Sequence, residues 1–264
     1  MATEPDYDRL RSNKNVTVWG GPSGTGAIGI TDTAVPEATE INNTGGASLI
    51  LNQSPSISWN DTDFGIQESE TLNDPSFADA STFTEFGAKN YGGGISYYKP
   101  NDQGDLSNNH TLIWDQTRYP RTKMDIVWRL DGETETTVPA ANGDFVSVFR
   151  TQTDSDANVW GQPDAHRRTV GYLSRGDAEF WTIVGPHTIT ATAPAGLTAG
   201  RAGRIQATVQ GRDYSSALAF VSNNPTVFQI ARGGHYKAIA AGTAGVTIRD
   251  EAAGTSTTVS VTVA

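Results

Sequence analysis

The sequence predicts a mainly β chain in two parts, a β body with long loops and a smaller C-terminal β-sandwich. Three observations predict it. Gly (28) and Pro (12) are frequent and hydrophobic residues make up only 36%, a mixture that suits short strands joined by turns. Apolar residues recur at alternate positions, while the 3.6-residue period of a long helix is almost absent. Charge is also divided. Residues 187–264 hold six basic and three acidic side chains, a net of +3, and the 186 residues before them carry −13. Such asymmetry marks separate units. The expected boundary is the Gly185-Pro186 breaker, giving a body over 1–186 with an N-terminal arm and a domain over 187–264.

Within the body, Asn15 to Trp19 alternates as a short strand and Gly20 to Gly26 breaks it. Residues 20–46 have no period and read as a long loop. Ser48 to Leu51 and Ser56 to Trp59 read as strands. Residues 60–94 are acidic and rich in Ser and Thr, with isolated aromatics at Phe64, Phe77, Phe83, Phe86 and Tyr91. A loop of that length is expected to be ordered by a partner, since its aromatics would otherwise expose apolar area. Gly94 to Tyr98, His110 to Trp114, Met124 to Leu130, Asp144 to Arg150, Thr169 to Leu173 and Ala178 to Val184 are predicted strands. Asp131-Gly132 is a predicted turn, Ser174 to Asp177 is expected to separate the last two strands, and one short helix is placed within 60–90 or 115–123.

The C-terminal segment has regular strands at Ile205 to Val209, Ala244 to Arg249 and Thr257 to Val263. Turns fall at Ala199-Gly200, Asn223-Asn224-Pro225, Gly233-Gly234, Ala241-Gly242 and Ala253-Gly254. This spacing predicts a sandwich with Val227, Ile230, Ile239, Val246 and Ile248 in its core. Gly242 is expected to take the tight reversal between two strands. Phe220 to Val227, with its Ser222-Asn223-Asn224-Pro225 centre, and Tyr236 to Ile248 around Ala241-Gly242-Thr243 resemble the bacterial Ig-like domains of group 2. Thr198-Ala199-Gly200 and the closing Val259 to Val263 strand fit the same family, and Phe220 stands where Trp is usual.

Few motifs carry chemistry. The absence of Cys excludes disulfides and Cys-based zinc sites, and leans towards assembly in a reducing cytoplasm. No apolar run approaches the ~20 residues that cross a bilayer, and the first residues have no signal-peptide pattern, so no membrane insertion is expected. His110, His166, His187 and His235 are scattered and read as satisfied or surface imidazoles. Gly20 to Gly26 lacks the Gly-Lys-Ser/Thr of a phosphate loop, and Asp63-Phe64-Gly65 stands without any other kinase element. Asp154-x-Asp156-x-Asn158 opens like a calcium loop, but Val159 occupies the Gly position and Ala165 that of the bidentate Glu. Asp131, Glu133 and Glu135 offer paired carboxylates but alternate with Thr around a turn. No catalytic, cofactor-binding or metal-binding residue is assigned, and the chain is expected not to be an enzyme.

The body also resembles a known family. Phe86 to Tyr98, with Gly92-Gly93-Gly94, and Arg118 to Gly132, with the Met124 to Arg129 strand, are similar to the tail tube subunits of long-tailed bacteriophages, some of which carry a group 2 Ig-like domain at the C-terminus. The resemblance implies a sandwich or barrel body with one flanking helix. Six copies would close a ring, and rings would stack into a tube that conducts DNA into the host. The implied partners are further copies of the chain, the terminator, tape measure and distal tail proteins, and genomic DNA that passes without specific binding. The Ig-like domain would project outward and meet host-surface glycans. The location would be the virion tail, after assembly in the host cytoplasm. The alternatives left open are a phage fibre or capsid decoration protein, a secreted carbohydrate-binding or adhesive module, and an enzyme acting on glycans.

Overall fold

The computed structural model describes residues 16–23, 29–46, 48–58, 62–66, 71–72, 85–86, 91–102, 104–105, 107–129, 136–159 and 167–264, with backbone only at 66, 71–72, 85–86, 155–159 and 177. Among the described residues the chain is mainly β with two α-helices. It divides into two compact units, Met1–Ala140 with Phe145–Thr182, and Ala141–Asp144 with Ile183–Ala264.

Unit 1 is organised by one seven-stranded antiparallel sheet. Its strands are β1 (Thr17–Pro22), β2 (Leu51–Asn52), β3 (Gly65–Ile66), β6 (Tyr91–Tyr98), β7 (Lys123–Arg129), β8 (Phe145–Val159) and β9 (Arg167–Ile183), in the order β2-β1-β7-β8-β9-β6-β3. A separate ladder pairs β4 (Thr71–Leu72) with β5 (Glu85–Phe86). The sheet curls, because aromatic side chains from distant strands meet inside it. The Phe64 ring lies 5.4 Å from Trp128, 5.2 Å from Phe149 and 5.7 Å from Tyr172. Val18, Ile95, Ile126 and Val170 complete this core, each 0% exposed. Full burial of such side chains contributes roughly 1.5–3 kcal/mol apiece.

The opposite face is also covered, which explains why Met124, Asp125, Ile126 and Val127 are buried one after another. Residues 29–46 do not form an unattached loop. They include helix α1 (Ala38–Ile41) and pack on the chain's own sheet. Asp125 Oδ2 accepts from Ile30 N–H at 2.8 Å, and Arg150 Nη2 donates to the carbonyls of Ile30 and Thr31. Gly21 lies under the backbone of Leu49 and Ile50, where any Cβ would collide. The expected break at Gly20 is thus a continuing strand through Pro22.

Three further expectations are corrected. His110 to Trp114 is not a strand but the middle of helix α2 (Asn109–Gln116). The Asn108 side chain accepts from His110 N–H at 2.9 Å, and this N-cap, with Ile113 and Thr117 buried one turn apart, outweighs the β-branched and aromatic composition. Ser174 to Asp177 does not separate two strands, because β9 runs through it with Gly176 at φ 141°. Ser56 to Trp59 gives a 3-10 turn at Ser54–Ser56 and a single bridge from Ile57 to Tyr97; Trp59 lies outside the described residues, as do Asp131 and Gly132 of the expected turn.

Unit 2 is built from three three-stranded antiparallel sheets. They use β10 (Ile189–Ala191), β11 (Ala202–Arg204), β12 (Ala207–Val209), β13 (Arg212–Asp213), β14 (Ala219–Ser222), β15 (Phe228–Ile230), β16 (His235–Ala238), β17 (Gly242–Asp250) and β18 (Thr255–Val263). The orders are β10-β12-β13, β11-β16-β15 and β14-β17-β18. Strand β17 alternates, with Ala244, Val246, Ile248 and Asp250 buried. Val227 is buried as expected; Ile230 is half-buried, and Ile239 is 38% exposed and outside the core. The Gly254 turn, at φ 67°, closes the β17–β18 hairpin.

Candidate functional surfaces

The buried polar groups of unit 1 hold the fold rather than present chemistry. Tyr97 Oη donates to Gln53 Oε1 at 2.8 Å and lies 2.8 Å from Tyr172 Oη. Burial drives both phenols above their ordinary range, so they remain neutral hydrogen-bonding groups. Arg168 donates to Trp114 O and Thr117 Oγ1, with its guanidinium 4.1 Å over the Trp114 ring, which fastens α2 to β9. Arg129 lies 4.9 Å over the Trp19 ring and donates to the carbonyls of Val138 and Pro139. Burial raises the Asp125 carboxyl, against the lowering effects of Ile30 N–H, Ser23, Arg150 and Arg175. Each of these charges is engaged with backbone or rings, not gathered around an open cleft.

The histidines divide in the same way. His110 Nδ1 lies 2.9 Å from Ser56 Oγ, tying α2 to the 3-10 turn. This pair has a nucleophile and a base, but among the described residues no carboxylate is bonded to the ring, so it lacks the orienting third group of a catalytic triad. His187 is buried in unit 2, with Nδ1 2.7 Å from Asp250 Oδ2 and Nε2 2.9 Å from Ile183 O. His235 is exposed on β16, and His166 lies outside the described residues. Asp154, Asp156 and Asn158 fall within strand β8, an extended geometry that cannot wrap a cation as a calcium loop does. Phe64 of Asp63-Phe64-Gly65 is a core residue. Glu133 and Glu135 lie outside the described residues. Among the described residues no three His, Cys, Asp or Glu side chains gather as a metal site. Among the described residues no helix is long and apolar enough to cross a membrane.

What unit 1 does present is surface. Among the described residues the sheet ends in two-residue edge strands, β2 and β3, and a sheet edge is where a further strand can pair. Tyr119, Leu173, Trp181, Leu49 and Val138 are exposed by 43–62%. Trp181 holds φ 60°, with its N–H donated to Ser147 Oγ; a bulky residue held so is a local strain that regular strands avoid. Sequence reasoning missed Trp181, Arg168, Arg129 and the His187–Asp250 pair. Trp19 under Arg129, Trp114 under Arg168, Ser147 beside Trp181 and Asp250 beside His187 all lie 34 or more positions away, and no local spacing signals them.

No curated protein matches the sequence. The family model described as phage tail tube protein matches residues 2–187, more than half of the chain. A structural rather than catalytic part, in a virion and alongside other tail proteins, is what that family implies. It agrees with a molecule whose buried charges are spent on its own fold and whose open features are strand edges and apolar surface: the chain belongs to the phage tail tube protein family.

Proposed function

We propose that the chain is the repeating subunit of a long-tailed phage's tail tube, with six copies per ring and rings stacked around a channel for DNA. The family match over residues 2–187 carries this reading. The sheet edges support it, since a closed ring of identical subunits gives every edge a partner. Charge supports the channel. A body with a net of −13 repels phosphate, so DNA slides without being held. Residues 187–264 are read as an Ig-like group 2 domain carried on the outside of the tube, where it contacts host-surface glycans. The segment's net charge of +3 and its antiparallel sheets support that part. Assembly takes place in the host cytoplasm before the tail joins the virion.

The two parts of the proposal separate in one experiment. A phage whose subunit ends at residue 186 is expected to build tails of normal length and to adsorb more slowly to its host. Unaltered adsorption would remove the glycan role, and failure of tails to form would show that residues 187–264 belong to the assembly itself.

A further inference from the structure

Unit 2 carries an open groove of about 560 Å³ between the sheets that contain β14 and β15. We propose that this groove binds an acidic polysaccharide. The proposal rests on the reading of residues 187–264 as a glycan contact, and adds to it a site and a ligand charge.

Both walls are free strand edges, since β14 and β15 each end their sheet. The pairing shows which backbone groups are open. Asn223 N–H reaches Gly245 O across the β14–β17 ladder, and Ala231 N–H reaches His235 O across the β15–β16 ladder. In an antiparallel ladder alternate residues turn outward. Ser222 on β14 and Ile230 on β15 therefore direct their N–H and C=O groups away from their sheets, and both line the groove. Such groups suit hydroxyl-rich ligands, which both donate and accept.

Tyr236, which also lines the groove, is held in place. The Tyr236 ring stacks on the buried Phe228 ring at 4.9 Å and 29°. It crosses Gly203, where a Cβ would come within 2.7 Å of Tyr236 Oη. A fixed backbone beside a few polar groups suits a preformed small-molecule site. The charge is one-sided: Lys237 is present, no carboxylate lines the groove, and Gln229, Ser222 and His235 supply uncharged or basic polar atoms. In a segment with a net charge of +3, a groove with one lysine and no acids favours an anionic ligand. An extended peptide fits less well, because edge strands of four and three residues expose too few outward positions for a continuous ladder.

The test uses the full chain and short hyaluronate chains as the probe, titrated at low salt by calorimetry. Dextran of equal length serves as the neutral comparator and single-stranded oligo-dT as the other polyanion. Lys237 and Gln229 are exposed, so Lys237→Gln and Gln229→Glu should fold normally. Each is expected to weaken hyaluronate binding about threefold or more. Arg212→Gln, on exposed β13 outside the groove, should leave binding unchanged. Dextran should bind at least ~10-fold more weakly, and added salt should weaken the hyaluronate complex. The groove assignment is overturned if Lys237→Gln and Gln229→Glu bind as the parent does, if dextran binds equally well, or if oligo-dT matches hyaluronate. Absence of binding to either polysaccharide, joined to unaltered adsorption of the phage ending at residue 186, removes the glycan reading itself.

Discussion

Asp250 is a carboxylate buried in unit 2 to 4% exposure. Burial alone would raise its pKa, but hydrogen bonds from His187 and the N–H groups of Ala253 and Ala252 outweigh it, and the net shift is downward. A depressed folded value means that the group stabilises the fold above the ordinary Asp pKa of about 3.9, and that this stability is lost as pH falls through the lowered value. Asp250→Asn is expected to cost about 1–3 kcal/mol at neutral pH and to flatten the loss of stability below about pH 4. Scanning calorimetry of both proteins at pH 7 and pH 3 checks this. Gly93 makes a steric case. It holds φ 111°, and a Cβ there would come within 2.7 Å of Asp63 O. Next to it, Asp63 N–H donates to Gly94 O at 3.0 Å, and Asp63 Oδ1 accepts from Gly94 N–H. Gly93→Ala should therefore destabilise unit 1 by about 2–3 kcal/mol, read from the urea midpoint by Trp fluorescence.

At the scale of elements, α2 exists because its first turn is capped and its inner side is anchored. Asn108→Ala removes the acceptor for His110 N–H and should cost about 1 kcal/mol, with faster amide exchange confined to 109–116. The same helix shows the limit of local reading. His110 to Trp114 has the β-branched and aromatic composition of a strand; the cap and the grip of Arg168, 54 positions beyond Trp114, decide otherwise. Alternation was legible where one face meets the core, as in β17 and β18. It was illegible in β7, whose neighbours cover both faces. Residues 29–46 show no period because backbone bonds to Asp125 and Arg150 hold them, rather than a regular apolar stripe. The Ser174 to Asp177 stretch reads as a break between two strands, yet Gly176 in an extended positive-φ geometry lets β9 continue. The resemblance over Phe86 to Tyr98 and Arg118 to Gly132 pointed in advance to a tail tube; the strained Trp181 and the facing of β14 and β15 had no such signal.

For the whole molecule, the surface left open in unit 1 is the surface an assembly would bury. Leu173 lies on β9 at 53% exposure and outside the core. Leu173→Glu is expected to leave monomer stability within about 0.5 kcal/mol and to lower the yield of assembled material, as followed by sedimentation. Charge, edges and family together make the chain a subunit rather than a finished object. Negative-stain microscopy of the purified full chain measures this most directly. Hollow tubes or stacked rings about a hundred ångströms across, the size expected for six subunits of ordinary compactness, are the predicted result. A monomer that stays dispersed at every concentration and salt condition would contradict it.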